Sequence, residues 1–512
     1  MTSHPKRRRD PRSRTPGQPS RVDPVAVQPA RRAPHRPSVR FLGATETVTG
    51  SRFLFDTGKS QVLFDCGLFQ GEKSLRLRNW EPFPVDPRSV DSVVISHAHL
   101  DHVGYLPALV RGGYRGSVHA TIGTTALAAI VLADAGRLQE EDASYANRVG
   151  SSRHRPALPL FTETDAQEAI SQFTGHLFAE RIDVSEDVAV EFHRAGHILG
   201  SSWLSIHIDG YAPIAFSGDL GRKNHPILLP PDPLTPVESL LIESTYGDRT
   251  HETNDPASML AETIVRTAGR GGTVIIPSFA VDRTEVVLIH LRNLLRSGSI
   301  PDVPIFVDSP MALDGLRVYR RAVAEKWPEI RPEILGDDDP FDTGRLSEVR
   351  TVAESKAVND VRYPSIIIAG SGMATGGRVL HHLKARLPDP RNTVILVGYQ
   401  VVGSRGRQLE EGARELKMFG DYVDVRAEVV SVPGLSVHAD RTELIDWIST
   451  PQIPPRTCYV VHGELQAATA LRDSIRGEIG CRAVVPHADE IVFVTGSSAT
   501  SSDVSAATPN GQ

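Results

Sequence analysis

The chain has 512 residues, 40% of them hydrophobic and 23% charged, and a formal net charge of −6. This composition is typical of a globular protein of two or three domains. No apolar run reaches the roughly 18 residues of a membrane span, and the first residues lack the apolar segment of a secretory signal. Cys66, Cys458 and Cys481 form no C-x-x-C pair, which favours a reducing compartment over a disulfide framework or a thiolate zinc site. We therefore expect a cytoplasmic protein.

Residues 1–37 are rich in proline and arginine and poor in apolar residues, so we predict that they are disordered. Residues 1–40 hold eleven lysines or arginines against two aspartates. A basic arm that contacts nucleic acid is one interpretation of this charge, and a solubilising tail is the other. The polar residues 497–512 are likewise predicted to be disordered.

Between these tails the hydrophobic pattern changes twice. Residues 38–234 hold short strand-like runs, with helix-like stretches near 122–147 and 164–178, which favours layered sheets flanked by helices. Residues 235–410 alternate buried strands such as "GTVIIPSF" and "SIIIAGSG" with helical patterns at 282–297 and 310–326, which predicts a parallel sheet with crossover helices. Residues 411–496 return to strands, with a helix near 440–449.

The stretch "SHAHLDH" places His97, His99, Asp101 and His102 within six positions at the end of a predicted strand. Imidazole and carboxylate groups at this spacing are ligands for zinc, or for manganese when more oxygen ligands are present. Further candidate ligands follow other strand-like runs, namely His197 in "GHILGSS", Asp219 in "SGDLGR" and His462 in "VVHGE". A metal centre is therefore predicted.

These motifs, with Asp65 in "LFDCG", resemble the metallo-β-lactamase fold. The motifs "ESTYGDRTH", "IPSFAVDR", "GSGMATGGR", "GYQVVGSRGRQL" and "SVHAD" resemble its β-CASP branch. That branch includes RNA-processing nucleases akin to RNase J and to the endonuclease subunit of the eukaryotic pre-mRNA 3′-end cleavage machinery. The resemblance implies an α/β fold, in which a metallo-β-lactamase αββα sandwich (38–234 and 411–496) carries an inserted parallel α/β β-CASP domain (235–410).

The resemblance also implies a ligand set for two Zn²⁺ ions, with Mn²⁺ as the alternative. One ion would be held by His97, His99 and His197, and the other by Asp101, His102 and His462. Asp219 would bridge the two ions, and Asp65 would orient the histidine loop through hydrogen bonds.

Glu243 and His438 match the acid–base pair of the family. A protonated imidazole can neutralise the alkoxide that phosphodiester cleavage leaves, and a carboxylate beside it keeps it charged and oriented. Ser436 matches a family position near the scissile phosphate. Ser371 and Gly372, between a strand and a helix, are candidates to hold a phosphate through backbone N–H groups, and Arg378 is a candidate contact in an RNA groove.

The predicted function is a two-metal phosphodiesterase that cleaves single-stranded RNA, as an endonuclease, a 5′→3′ exonuclease or both, and leaves 5′-phosphate products. A β-CASP DNA nuclease is one alternative, although DNA-repair relatives usually carry an aliphatic residue in place of His462. A non-catalytic RNA-binding scaffold is another. Asp282 and Glu285 stand where the family usually has glycine and glutamine, and are expected to add negative charge near the RNA path. The oligomeric state is open, with a homodimer as one possibility.

Overall fold

The structure, a computed structural model, describes residues 35–150, 152, 154–251 and 255–495. The predictions of disorder for 1–37 and 497–512 therefore lie outside the described residues, apart from residues 35–37. The same is true of the basic arm.

Most of the described strands are short, with three to five residues each. In chain order they are β1 (Ser38–Phe41), β2 (Phe53–Asp56), β3 (Gln61–Phe64), β4 (Ser92–Val94), β5 (Ser117–Thr121), β6 (Phe173–His176), β7 (Arg181–Asp183), β8 (Val188–Arg194), β9 (Ser202–Ile208), β10 (Ile214–Phe216), β11 (Ser239–Ile242), β12 (Thr273–Pro277), β13 (Ile305–Asp308), β14 (Leu346–Glu348), β15 (Ser365–Ala369), β16 (Thr393–Leu396), β17 (Glu415–Met418), β18 (Asp421–Asp424), β19 (Glu428–Ser431), β20 (Thr457–Val460), β21 (Arg482–Val484) and β22 (Ile491–Phe493).

The helices connect and flank these strands. They are α1 (Lys73–Arg78), α2 (Leu100–Val103), α3 (Leu106–Arg111), α4 (Ile122–Val149), α5 (Glu163–Ile170), α6 (Pro256–Gly269), α7 (Arg283–Arg296), α8 (Pro310–Ala324), α9 (Val352–Asn359), α10 (Val379–Arg386), α11 (Arg405–Glu410), α12 (Arg441–Ile448) and α13 (Leu465–Ser474). Capping boxes at Thr162, Thr351 and Asp440 fix the starts of α5, α9 and α12. Among the described residues, no helix combines the length and the apolar character needed to cross a bilayer.

Two seven-stranded sheets of the described residues form a sandwich. Their strand orders are β22-β1-β2-β3-β4-β5-β6 and β21-β20-β11-β10-β9-β8-β7. Side chains alternate between the faces of a strand, so Phe53 and Phe55 of β2 point into the space between the sheets while Leu54 points to the other face. Phe53 meets Phe216 of the second sheet with ring centroids 5.2 Å apart. An aromatic core therefore holds the sandwich together.

A third sheet in the described residues has six strands in the order β14-β13-β15-β12-β16-β19, and all its pairings are parallel. Strands β12 and β15 are buried at every position, as expected for a parallel sheet covered on both faces. Helices α7, α8 and α10 make crossovers between its strands. The predicted parallel α/β insertion is thus present.

Two details of the sequence prediction need correction. The helix predicted at 164–178 ends at Ile170, and Phe173–His176 instead pairs in parallel with Ser117–Thr121 at the edge of the first sheet. The strand pairings also differ from the predicted domain boundaries at residues 235 and 410. Ser239–Ile242 pairs with strands of the sandwich, and Glu428–Ser431 pairs with the third sheet. An apolar run signals a buried strand but not the sheet that the strand joins.

Candidate metal centre and active-site cavity

The predicted metal ligands come from loops at one edge of the sandwich. His97 and His99 follow β4, and Asp101 and His102 lie in the first turn of α2. His197 lies between β8 and β9. Asp219 follows β10 and His462 follows β20. The strands β10 and β20 flank β11 in the second sheet, so residues 243 positions apart in sequence are brought to one place.

Four of these residues form a first group. The ligand atoms of His97, His99, His197 and Asp219 all lie within 4.8 Å of one another. His99 Nδ1 is 3.1 Å from His97 Nε2 and 3.3 Å from His197 Nε2. Asp219 Oδ2 is 3.6 Å from His97 Nε2 and 3.7 Å from His197 Nε2.

Asp101, His102 and His462 form a second group, again with ligand atoms within 4.8 Å. The Nε2 atoms of His102 and His462 are 3.1 Å apart, and Asp101 Oδ2 is 3.5 Å from His462 Nε2. Asp219 also borders this group, with Oδ2 3.4 Å from His102 Nε2 and Oδ1 3.2 Å from His462 Nδ1. Asp219 therefore stands between the two groups.

The donor set fits metal cations. Burial lowers the pKa values of His97 and His197 well below the ordinary value, so both imidazoles are neutral and offer lone pairs. Asp219, which borders both groups, has its Oδ1 atom buried without a hydrogen-bond partner. Acceptors that converge in a water-poor pocket are costly unless a cation lies between them. Nitrogen and carboxylate ligands of this kind suit zinc or manganese.

Asp65 contacts the second group through His102. Its Oδ2 lies 2.6 Å from His102 Nδ1 and accepts hydrogen bonds from Ser51 Oγ and Ser96 Oγ, while Oδ1 accepts from the Ser96 N–H. Burial alone would lower the pKa of His102, but the carboxylates of Asp219 and Asp65 outweigh it and raise that pKa. The contact fixes the ring so that Nε2 points toward His462.

His438 and Glu243 lie beside the first group. His438 Nδ1 is 3.4 Å from Glu243 Oε2 and 3.9 Å from Asp219 Oδ2. Glu243 is fully buried, and its Oε1 accepts a 2.6 Å hydrogen bond from the Leu220 N–H. Burial opposes a charge on His438, but the Glu243 carboxylate more than offsets it and raises the pKa of the imidazole. A histidine held in this way can carry and release a proton.

The groups open into a cavity between the sandwich and the third sheet. Its lining combines the candidate centre with side chains of the inserted region. It includes His99, Asp101, His197, Asp219, His438 and His462 together with Phe279, Asp282, Arg283, Met311, Met373 and Tyr399. Sequence reasoning assigned no role to Phe279, Arg283 or Tyr399, although the quoted motifs contain all three.

Three of the predicted substrate contacts, Ser436, Ser371 and Gly372, have different surroundings in the structure. Ser436 is buried next to Tyr246. The Ser371 hydroxyl accepts a hydrogen bond from the Thr375 N–H at 3.0 Å. Gly372 has no room for a side chain, because a Cβ atom would meet the Phe279 ring at 2.6 Å.

Arg378 differs from these because its guanidinium is already engaged. It donates to Asp308 Oδ1 at 2.6 Å and to the Arg350 carbonyl at 2.7 Å. It therefore ties segments of the inserted region together, and we leave it out of the RNA contacts proposed below.

The expected negative charges at Asp282 and Glu285 are largely masked. Asp282 Oδ1 accepts a 2.7 Å hydrogen bond from the Tyr319 hydroxyl, and Oδ2 lies 3.1 Å from His225 Nε2. Burial raises the pKa of Glu285 well above its ordinary value, which favours the neutral carboxyl, and this side chain does not line the cavity. Asp282 adopts φ 68°, a left-handed conformation that glycine adopts with less strain.

Comparisons with known proteins agree with this geometry. Three family models match the chain: the metallo-beta-lactamase superfamily at residues 48–263, the Beta-Casp domain at 284–409 and the Zn-dependent metallo-hydrolase RNA specificity domain at 422–486. The predicted resemblance, the fold class and the prediction of a metal-dependent hydrolase are confirmed.

Curated relatives match over most of the chain. A ribonuclease from Thermus thermophilus is 38% identical over 84% of this chain and 94% of its own length. An RNase J-like protein from Methanocaldococcus jannaschii is 33% identical over 83% of this chain and 92% of its own. The transcription termination factor FttA from Pyrococcus abyssi is 33% identical over 87% of this chain and 69% of its own.

Proposed function

Because the chain belongs to the β-CASP family of the metallo-β-lactamase superfamily, we propose that it is a ribonuclease that hydrolyses phosphodiester bonds of single-stranded RNA. The names of its relatives, a ribonuclease and an RNase J-like protein, support this substrate class. So does the match of residues 422–486 to an RNA specificity domain. His462, which the family resemblance associates with the RNA-directed branch, lies 3.5 Å from Asp101 and 3.2 Å from Asp219.

The observation that carries the proposal is the position of Asp219. It lies within 3.7 Å of imidazole nitrogens from both groups, as a carboxylate that serves two ions would. His97, His99 and His197 would hold one Zn²⁺, and Asp101, His102 and His462 the other. When bound, the ions supply Lewis-acid chemistry that lowers the pKa of water and offsets charge on phosphoryl oxygens.

His438 would act as the general acid. It faces the cavity with its side chain 15% exposed, and Glu243 keeps the imidazole protonated and oriented. A proton passed from His438 to the leaving 3′-oxygen avoids the release of an alkoxide. Cleavage on that side of phosphorus gives a 5′-phosphate product. Ser436, two positions before His438, lines a neighbouring pocket and not this cavity, so we propose no contact between it and the phosphate.

The test pairs an RNA with a DNA of identical sequence, each labelled at the 5′ or the 3′ end. Wild-type protein, His438→Ala and the matched control His381→Ala would be assayed with added zinc or manganese and with a chelator. His381 is exposed on α10, so its removal should leave cleavage intact. We expect wild-type protein to cleave RNA, and expect a loss of about 10²- to 10⁴-fold in His438→Ala.

The pattern of products separates the two modes of cleavage. Internal fragments would identify an endonuclease, and mononucleotides from the 5′ end an exonuclease. Equal cleavage of DNA would point to the alternative DNA nuclease. Wild-type protein that binds RNA but leaves it intact with every metal would contradict the proposal in favour of a scaffold.

A further inference from the structure

Arg283 is a buried cation without a partner. It is the first residue of α7, its exposed fraction is 5%, and its side chain lines the cavity. Among the described residues, no atom accepts a hydrogen bond from its Nε or Nη1. Its guanidinium also forms none of the ion pairs found in the described part of the chain. The N–H groups of Arg283 are therefore available to a ligand.

The other buried arginines of the described residues each have a partner for the guanidinium, although Arg292 and Arg386 also leave Nε without one. Arg52 donates to the Gly67 carbonyl at 2.8 Å, and Arg386 donates to the Val358 carbonyl at 2.8 Å. Arg292 lies on the same helix as Arg283 and forms an ion pair with Asp337 at 2.8 Å. Arginine is seldom buried unless it is paired, because desolvation of an unpaired charge is costly. The fold tolerates this cost at the wall of the cavity. A bound anion that pairs with the Arg283 guanidinium would offset it.

The neighbours of Arg283 leave the guanidinium open. Asp282 is adjacent in sequence, but its two oxygens are committed to Tyr319 and His225. At position 398, which follows β16, a side chain would place its Cβ atom 3.8 Å from Arg283 Nε, and the residue there is glycine. Arg283 also stands at the N-terminus of a 14-residue helix, whose dipole adds positive potential. Both features favour an anion at this point.

We propose that Arg283 binds a backbone phosphate of the RNA next to the scissile one. The inference rests on the proposed function. It makes Arg283, in the inserted region, a residue that positions the RNA. In the proposed mechanism the scissile phosphate is bound at the two metal groups and beside His438. Arg283 is a member of neither metal group, so it would contact a different phosphate. A guanidinium offers a planar fork of N–H groups that matches two phosphate oxygens. Arg283 and His438 line the same cavity, which places the guanidinium near the reaction rather than at a remote surface.

The experiment compares wild-type protein with Arg283→Met, Arg283→Lys and the control Arg292→Met. Each is assayed on an RNA oligonucleotide and on bis(p-nitrophenyl) phosphate, a diester with no neighbouring phosphate. We expect Arg283→Met to lower kcat/KM on RNA by about 10- to 100-fold, the range of a charge-assisted hydrogen bond, and at least ten times more than on the small diester. Arg283→Lys should recover part of the loss. Arg292→Met should retain activity on both substrates.

A second readout locates the phosphate. Oligonucleotides with one uncharged methylphosphonate linkage beside the cleavage site are compared in wild-type protein and in Arg283→Met. We expect that, at one position, the neutral linkage lowers the cleavage rate of wild-type protein by about the same factor as the Arg283→Met substitution does. The same linkage should not lower the cleavage rate of Arg283→Met any further. Independent losses from the linkage and the mutation would overturn the inference.

Stability provides the check on folding. Removal of an unpaired buried charge should leave the Tm unchanged or higher, whereas Arg292→Met removes an ion pair with the partly exposed Asp337, which keeps Arg296 Nη1 at 3.8 Å, and should lower the Tm slightly. A lower Tm in Arg283→Met, or equal losses on RNA and on the small diester, would mean that Arg283 supports the fold instead. If wild-type protein cleaves RNA and Arg283→Met cleaves it equally well, this inference alone fails. If wild-type protein leaves RNA intact, the proposed function fails with it.

Discussion

The two walls of the cavity leave buried polar groups of opposite kind without a hydrogen-bond partner, an acceptor at Asp219 on the sandwich side and donors at Arg283 on the side of the third sheet. On the sandwich side, Asp65 has four neighbouring donor groups, and His102 is held between Asp65 and Asp219. On the side of the third sheet, Arg283 keeps unpaired N–H groups although it is equally buried. The first wall presents acceptors that suit small cations, and the second presents guanidinium donors that suit an anion.

This difference shows how the inserted region can extend a site built on the sandwich. Metal chemistry requires a rigid ligand geometry, which loops at the ends of sandwich strands provide. Recognition of a long polyanion requires positive groups at a distance from the metals, and the inserted sheet adds them without disturbing the ligands. Mutations on the sandwich side should therefore affect metal binding and every substrate, whereas mutations on the inserted side should affect RNA most.

The largest effect is expected at Asp219, which contacts both metal groups. Asp219→Asn should remove one negative charge and a shared oxygen ligand, so that bound metal falls and cleavage drops by about 10³-fold or more, as when a group that stabilises charge in the transition state is lost. The measurements are metal content after dialysis and kcat/KM on RNA. Asp421→Asn, an exposed aspartate paired with Lys384, serves as the control. Full metal content in Asp219→Asn would contradict the shared-ligand assignment.

A smaller effect is expected at Asp65, which contacts the proposed ligand His102 but would not itself contact an ion. Asp65→Asn replaces one acceptor oxygen by an NH₂ group, so His102 Nδ1 loses its anionic partner. We expect a decrease of about 10- to 100-fold in metal affinity or activity, measured by competition with a chelator. Asp56→Asn is the matched control, because Asp56 ends the preceding strand and contacts no residue of the candidate centre: it accepts hydrogen bonds from Gly58 and Gln61 in the adjoining turn and lies 3.1 Å from His35 Nε2. A loss of RNA cleavage with unchanged metal affinity would argue against the orienting role.

The candidate centre was predictable because its signals are local. His97, His99, Asp101 and His102 fall within six residues, and the strand before them is a clear apolar run. Asp219 and His462 were identified because each follows such a run, and the fold brings those strand ends together. Their roles as metal ligands stay predictions.

Features that depend on tertiary neighbours were not predictable. Arg283 is one of many arginines in the sequence, and only the folded chain reveals that it is buried and unpaired. Glu285 was expected to add charge, but burial raises its pKa and so favours the neutral carboxyl. Cys458 and Cys481 are 23 positions apart in sequence, yet their sulfur atoms lie 3.6 Å apart. In each case the deciding quantity is the set of spatial neighbours.

The smallest effect is expected at Tyr319, which links the two walls. Its hydroxyl accepts a hydrogen bond from the Leu199 N–H at 3.0 Å, two residues after His197, and donates to Asp282, next to Arg283. Tyr319→Phe leaves a buried N–H and a carboxylate oxygen without this partner, which should cost about 1–3 kcal/mol of unfolding free energy. We expect denaturant unfolding to measure this loss, with Tyr363→Phe at an exposed position as the control.

Activity should fall less than tenfold in Tyr319→Phe, because no ligand or substrate contact is removed and a loss of that size corresponds to about 1.4 kcal/mol or less. If the link only supports the fold, kcat/KM should fall by the same factor on RNA and on bis(p-nitrophenyl) phosphate. If it also sets the distance between the two walls, the loss should be greater on RNA, because only RNA contacts both. Unchanged stability together with unchanged activity would show that the walls are positioned independently of Tyr319.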